Sequence, residues 1–205
     1  MRSPIRPAAD LEGFPGTLRP SAAFLPGLRP FPAPSWPLVA QLPVLDVNGA
    51  LLADLSAREP FAADPPIAAL FACDPFLRVP DAAATLARAG VAEVLNWPSV
   101  QAHEGETAAA LAAVGYRAEA EFRTLLAFAA CGLQPLAFAA TRGAVDAALA
   151  AGLRRVVLPS GEAWATLASH VAVEGGEAIL WSDEPLQAPA ASPPQSARPR
   201  RRIRL

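Results

Sequence analysis

Two polar side chains follow two consecutive apolar runs of the chain, where a parallel sheet would bring them to one edge. The run Ile67–Ala72 leads into Cys73-Asp74-Pro75-Phe76, and the run Glu93–Leu95 leads into Asn96-Trp97-Pro98. Proteins built on parallel sheets place their chemistry at the carboxyl ends of the strands. Asp74 is therefore a candidate metal ligand or general base, and Asn96 is a candidate for holding a substrate oxygen.

Both residues also have a local structural interpretation. An aspartate before a proline starts a turn by accepting a hydrogen bond from the backbone that follows it. An asparagine at a strand end can join the strand to the next loop through its side-chain amide. The sequence leaves both alternatives open for Asp74 and for Asn96.

Acid–base groups are available near the same predicted edge. His103 lies in the loop after Asn96, and its imidazole is suited to proton transfer; an exposed loop histidine without a role is the alternative. Glu119 and Glu121 are two positions apart on a predicted helix, so at most one of them faces a site. We take Glu119 as the candidate, against the alternative of a solvated helix carboxylate.

Ser160 and Gly161 form a candidate phosphate site. They follow an apolar run directly and precede a predicted helix at 161–171, and the free N–H groups of such a helix start bind phosphate in many barrel proteins. An ordinary N-cap serine explains the same pattern, and the nearby Glu162 would repel an anion.

Several classes of function lack their sequence signals. The chain has no Walker loop, G-x-G-x-x-G, H-E-x-x-H, paired C-x-x-C or Ser-His-Asp pattern, so nucleotide binding, zinc chemistry and acyl transfer are not indicated. Removing the five arginines of positions 198–204 from the net charge of −2 leaves −7 for the rest. An acidic body argues against nucleic acid as its partner.

The elements that position these residues alternate between short apolar runs and alanine-rich helical runs. Helical segments are predicted at 48–58, 81–89, 105–114, 119–130, 142–151 and 161–171, and strands at 67–72, 91–97, 136–139, 156–158 and 178–181, with a sixth strand if 38–42 contributes. Such alternation predicts an α/β fold with a parallel sheet. Because a (β/α)₈ barrel needs eight strands and about 250 residues, we expect an incomplete or shortened TIM-like barrel.

The two ends of the chain differ from this core. Residues 1–43 are rich in proline, which disfavours regular helix and central strands, but they also carry aromatic and aliphatic residues, so we expect an extended arm that lies on a surface. Residues 44–185 form the βα core, and residues 186–205 a disordered arginine-rich tail. The arm or a second copy should cover the open edge of the sheet.

Cellular context follows from what the sequence contains. Cys73 and Cys131 lie in apolar runs and are expected to be buried free thiols, which suits a reducing compartment. The apolar stretch 124–140 is interrupted by Gly132, Gln134 and Pro135, so no membrane span is expected. With no secretory signal pattern at its start, the chain is predicted to be cytoplasmic.

The ordered motifs of residues 42–160 resemble the phosphoenolpyruvate-hydrolase-like TIM-barrel family, also called the IGPS-like or "signal transduction" TIM-barrel proteins. The matching segments are Leu42-Pro43-Val44-Leu45-Asp46-Val47-Asn48-Gly49, Asp74-Pro75-Phe76, Asn96-Trp97-Pro98-Ser99-Val100, Gly105, Glu119-Ala120-Glu121, Ala147–Gly152 and Val156–Leu158. The resemblance implies a barrel that acts on a small 2-oxo acid, enol phosphate or other phosphorylated metabolite, with Mg²⁺ or Mn²⁺ held by carboxylates, here Asp74.

The chain also departs from the family pattern. The glycine-rich first unit has no counterpart, an expected arginine is Ala108, and the family's L-E-E-T-G-M-G-Y is reduced to Leu111-Ala112-Ala113-Val114-Gly115-Tyr116. Two hypotheses follow. One is a divergent metal-assisted hydrolase or lyase with weakened or lost catalysis. The other is a non-enzymatic structural or regulatory subunit, in a homo-oligomer or hetero-complex, that docks through its proline-rich arm and basic tail.

Overall fold

A curled, all-parallel sheet forms the centre of the protein. The computed structural model describes residues 2–40 and 45–186. Within these residues each strand pairs in parallel with the next strand along the chain. The seven strands of this part of the chain are β1 (Arg6–Ala8), β2 (Ala22–Phe24), β3 (Ile67–Ala69), β4 (Glu93–Leu95), β5 (Gln134–Phe138), β6 (Arg155–Pro159) and β7 (Glu177–Trp181).

The two edges of this sheet meet at one bridge. The Ile5 backbone N–H donates to the Leu180 carbonyl over 2.8 Å, and the Ser182 N–H donates to the Ile5 carbonyl over 2.9 Å. Ile5 is thereby bridged in parallel to Trp181 of β7. The N-terminal segment covers the open edge, as the sequence predicts, and the sheet curls like part of a barrel wall. The described residues do not form the eight βα units of a full TIM barrel.

Helices connect most of the strands and confirm the predicted alternation. In the described residues they are α1 (Trp36–Val39), α2 (Val47–Ala57), α3 (Val79–Arg88), α4 (Gly105–Ala113), α5 (Ala118–Ala130), α6 (Arg142–Ala150) and α7 (Trp164–Val173). Glycines follow several of their carboxyl ends in the left-handed conformation; Gly90 is one, with φ of +77°. Left-handed backbone at this position is the usual stop signal of a helix.

The proline-rich start of the chain contributes two strands, so the expectation that it contains no central strand was wrong. Pro20 and Pro26 stand on either side of β2, whose residues contain no proline. Three residues without proline are enough for a short strand in a parallel ladder. Strand β1 does contain a proline, Pro7, and it is the first strand in the sheet order, where proline is tolerated. The possible sixth strand at 38–42 begins with two residues that belong to helix α1, which extends to Val39. The rest of that prediction falls mostly on residues 41–44, which lie outside the described part.

Alternate residues of each strand face two separate cores. On β5, Leu136 and Phe138 belong to the inner core, which the curled sheet encloses. Ala137 between them belongs to the outer core, where the sheet packs against the helices. Phe122 and Phe128 of α5 fill this outer layer, and the alternation is that of a sheet buried on both faces.

Charged side chains occupy the amino ends of the strands. Arg155 of β6 lies 2.7 Å from Glu93 of β4 and 3.3 Å from Glu177 of β7. Arg2 binds the other side of Glu93. Burial raises the pKa of Glu93, but hydrogen bonds from Arg2 and Arg155 outweigh burial and hold the pKa below its ordinary value. This network ties three strands and the N-terminal segment together.

Three local expectations differ from the structure. Cys131 is exposed whereas Cys73 is buried, and both thiols are free. Helix α3 begins at Val79, two residues before the predicted start at 81, which places Asp81 in the first turn of the helix. Helix α7 begins at Trp164, three residues after the predicted start, and its N-cap is Ala163. Cys131 directly follows α5 and faces solvent. Its apolar neighbours in the sequence give no indication of this exposure.

Candidate functional site at the carboxyl ends of β3 and β4

Asp74 lies in the loop after β3, where its carboxylate organises a turn. Its Oδ1 accepts a hydrogen bond of 2.8 Å from the Phe76 backbone N–H. Its Oδ2 accepts one of 2.9 Å from the Asn48 side-chain amide. The turn interpretation of Asp74 is thus present in the structure. Each carboxylate oxygen can accept a second hydrogen bond, so this role leaves Asp74 able to bind a donor from outside.

Asn48, at the start of α2, fastens that helix to the end of β3. Its Oδ1 accepts from the Phe71 N–H over 2.9 Å, and its Nδ2 donates to the Phe71 carbonyl over 3.0 Å. The side-chain amide thereby pairs with both backbone groups of one residue, as a neighbouring strand would. Sequence reasoning did not select Asn48 as a site residue. The sequence signal that could have identified Asn48 is its place in segment 42–49, which resembles the phosphoenolpyruvate-hydrolase-like family.

These residues border a groove of about 440 Å³ at the carboxyl end of β3. The Asp46 and Asp74 carboxylates lie on it, and neither is ion-paired with an arginine of the described residues. Aromatic rings supply much of the remaining wall, and the ring of Phe76 is 88% exposed. We call this the DPF groove; its aromatic members are Phe71, Phe76 and Tyr116.

Asn96, after β4, makes the same kind of clasp as Asn48. Its Oδ1 accepts from the Phe138 N–H over 2.6 Å, and its Nδ2 donates to the Phe138 carbonyl over 3.2 Å. The remaining hydrogen of that amide reaches Glu121 over 2.9 Å. Asn96 is fully buried, and its contacts are those of the strand-joining alternative.

Glu121 is the carboxylate of α5 that points inward, and it is fully buried. Four donors reach it: Asn96 Nδ2, the Ser99 hydroxyl, the Val100 N–H and Gln101 Nε2. Burial raises the pKa of Glu121, while these four hydrogen bonds act in the opposite direction. The carboxylate therefore serves as the centre that holds the loop after β4 against α5 and the end of β5.

Glu119, the predicted acid–base group, lies on the other side of α5. It is exposed and borders a cavity of about 630 Å³ together with Arg117 and Arg123. His103 ends the short 3₁₀ turn Val100–Ala102 and is half-buried. Ser99 and Gln101, which sequence reasoning did not select, are the polar side chains of this loop that reach Glu121.

Ser160 and Gly161 follow β6, three strands away from β3 in the sheet. Both are exposed, and they form a loop that precedes α7. The structure therefore places the predicted phosphate-binding residues at a different part of the edge from Asp74 and Asn96. Phosphate binding at this loop stays a prediction.

Aromatic side chains fill the mouth of the curled sheet at the carboxyl ends of its strands. The ring of Trp181 packs against Trp97 at 4.7 Å and against Phe138 at 6.0 Å between centroids. Leu28 and Trp36, from the segment after β2, belong to the same buried core. A barrel enzyme builds its active site at this carboxyl-terminal face, above an interior that is itself packed with side chains; here Trp97, Phe138 and Trp181 are buried at that face.

The described residues show no ligand cluster for the Mg²⁺ or Mn²⁺ that the family resemblance implies. Mg²⁺ takes six oxygen ligands in octahedral geometry, usually one or two of them from carboxylates and several from water. In the described residues no three His, Cys, Asp or Glu side chains are grouped as metal ligands. Asp74 is therefore not part of such a group in the described residues, and we derive no metal-dependent step.

Among the described residues, no helix has both the length and the apolar character that crossing a bilayer requires.

Known protein-family models give no match to the chain. The uncharacterized protein y4oT of Sinorhizobium fredii is 32% identical over 149 residues, which cover 72% of this chain and 76% of the relative. Identity of this extent over most of both chains shows common descent, and the chain therefore belongs to the same family as y4oT.

Proposed function

We propose that the protein is a non-enzymatic structural or regulatory subunit with a barrel-like scaffold. The packed mouth carries this proposal: the rings of Trp97, Phe138 and Trp181 pack together at the carboxyl-terminal face, where a barrel enzyme builds its active site. The polar groups nearby support it, because Asn96 and Glu121 are joined to each other and to backbone in a buried network. Their hydrogen-bonding capacity is used to hold loops together.

The basic tail is the segment through which we expect the subunit to bind an acidic partner protein. The apolar residues of the proline-rich segment, such as Phe24 and Trp36, are buried in the chain's own cores, and this favours the tail over that segment. Five arginines lie within residues 198–204. Guanidinium groups form bidentate hydrogen bonds with carboxylates, so an acidic protein surface is the partner chemistry that matches.

Ligand-dependent thermal stability tests the non-enzymatic assignment. The full chain is heated with Mg²⁺ or Mn²⁺ and with pyruvate, phosphoenolpyruvate or oxaloacetate, and we expect an unchanged Tm. A ligand present at a hundred times its Kd would stabilise the fold by about 2.7 kcal/mol and raise the Tm by roughly 5–10 °C. A saturable shift of that size, absent in Asp74→Asn, would contradict the proposal.

A divergent enzyme acting on a 2-oxo acid or enol phosphate is the second candidate, and the DPF groove favours it. Asp74, half-buried and hydrogen-bonded to Asn48, borders this groove at the strand end where the family resemblance predicts chemistry. The two carboxylates of the groove repel an anionic substrate unless a cation accompanies it. Release of pyruvate or phosphate by the wild-type chain, and its loss in Asp74→Asn, would support this candidate against the first.

A further inference from the structure

The DPF groove has a chemistry that matches a segment of the same chain. Its described wall combines two carboxylates, from Asp46 and Asp74, with an exposed phenyl ring at Phe76. Carboxylates bind guanidinium groups through paired hydrogen bonds, and aromatic faces stack on them. Residues 198–204 supply five arginines, with Pro199 among them. We propose that the DPF groove binds this arginine-rich segment of its own chain.

The hydrogen bonds of the groove leave room for such a ligand. Asp74 accepts one donor on each oxygen, and Asp46 accepts the Gly49 N–H on Oδ1 as the N-cap of α2. Each of these oxygens keeps a further lone pair. A guanidinium placed between them and the ring of Phe76 would meet charge on one side and a π face on the other.

The segment is long enough to reach the groove. The Leu186 N–H donates to the Pro7 carbonyl of β1 over 2.9 Å, which fixes where residues 187–205 begin. Strand β1 is separated from β3 by β2 alone, a lateral distance of about 10 Å. Residues 187–197, which precede the first arginine, span roughly 36 Å when extended. Binding within one chain is therefore geometrically possible.

Such binding gives the tail two competing sites. An acidic partner and the DPF groove would both bind the same arginines. A partner must therefore release the arginines from the groove before it can bind all of them. The inference does not depend on whether the protein is an enzyme, because the substrate experiments measure Tm and product release, whereas binding of the tail to the groove is measured by NMR.

Paramagnetic broadening in NMR spectra of the full chain tests the proposal. A nitroxide is attached at Ser196→Cys in a Cys131→Ser background. Cys73 stays unlabelled because burial raises the pKa of its thiol to about 12. We expect the amide signals of Phe76 and Tyr116 to broaden more than those of other exposed loops. The effect should fall at least threefold when the five arginines are changed to serine, and it should weaken in 0.5 M salt because the ion pairs are exposed.

Two groove variants and one control make the result specific. Phe76→Ala removes the exposed ring, and Asp46→Asn removes a charge while keeping a good N-cap for α2; each should reduce the broadening at least twofold. Val173→Ala alters an equally exposed apolar side chain, 82% exposed on α7, and should leave it unchanged. The spectra themselves report whether each variant is folded.

Three outcomes would overturn the proposal. The first is broadening that is no greater at the groove than elsewhere. The second is broadening that survives both groove variants and the arginine-to-serine variant. The third uses a mixture of isotope-labelled chains without nitroxide and nitroxide-bearing chains without isotope. Broadening of the groove signals in this mixture would show that the segment binds a second copy.

Discussion

Single polar side chains hold this fold together by pairing with backbone from distant parts of the sequence. Asn48 pairs with Phe71, and Asn96 pairs with Phe138, in each case through both the N–H and the carbonyl of the phenylalanine. The sequence shows that Asn96 stands at a strand end, but not which backbone it meets. That partner lies 42 positions away, and local patterns carry no information about such a pairing.

The first prediction concerns Glu121. Replacing it with glutamine puts an amide N–H₂ among four donors, and an unsatisfied buried donor costs about 1–3 kcal/mol. We therefore expect Glu121→Gln to lower the free energy of unfolding by that amount in urea titrations at pH 7. Glu119→Gln, on the exposed side of the same helix, is the control and should change it by less than about 0.5 kcal/mol. Equal effects in the two variants would refute the role given to Glu121.

The second prediction concerns pH and Glu93. Its pKa is lowered in the folded state, so its contribution to stability is present above the unfolded pKa of about 4.3 and is lost as pH falls through the lowered folded pKa. Glu93→Gln should cost about 1–3 kcal/mol at pH 7. The difference from wild type should shrink steadily below about pH 4. Urea titrations from pH 7 to pH 3 measure the unfolding free energies of wild type and Glu93→Gln. A gap between them that widens on acidification would contradict the prediction.

At the level of elements, strands and helices were more predictable than their exact ends. The five strands predicted from apolar runs all occur, because each run is bounded by proline, glycine or a polar residue. Gly90 and Gly132 follow helix ends with left-handed backbone, the usual conformation where a glycine ends a helix. The start of α7 was misplaced because Ser160 resembles an N-cap, whereas the helix begins without a side-chain cap at Ala163.

The third prediction compares two helix-ending glycines with similar backbone. A Cβ at Gly90 would lie 2.6 Å from the Phe61 carbonyl oxygen, whereas one at Gly152 would meet nothing within 4 Å. Both substitutions by alanine place an L side chain at positive φ, which costs about 1–2 kcal/mol. We expect Gly152→Ala to cost about that amount and Gly90→Ala to cost at least 1 kcal/mol more, since the steric overlap is added. Urea titrations of the two variants measure the difference; equal losses would show that the close approach to Phe61 is relieved.

For the whole molecule, composition and length predicted an incomplete barrel-like sheet, but not how its interior is filled. The proline-rich segment was interpreted as an arm because proline disfavours regular strands. It instead supplies β1 and β2 and also Leu28 and Trp36 of the inner core. The sequence does show the aromatic residues of this segment, and they indicate burial. What they pack against depends on the curl of the sheet, which no local pattern specifies.

The fourth prediction follows from the packed mouth. Trp181 is 1% exposed between Trp97 and Phe138, so Trp181→Ala should cost about 3–5 kcal/mol of unfolding free energy. Phe76→Ala removes an equally apolar but exposed ring and should cost less than about 0.5 kcal/mol. Chemical denaturation followed by circular dichroism measures both losses. A cost below 1 kcal/mol for Trp181→Ala would mean that the mouth is open.

The bridge between Ile5 and β7 has a consequence for biosynthesis. The backbone partners of Ile5 are Leu180 and Ser182, which leave the ribosome after almost everything else described here. Ordering contacts so far apart along a polymer is slow. The newly made N-terminal segment must therefore wait, unpaired on one side, until Leu180 and Ser182 have been synthesised, and during this interval the nascent protein is exposed to wrong pairing and to chaperones.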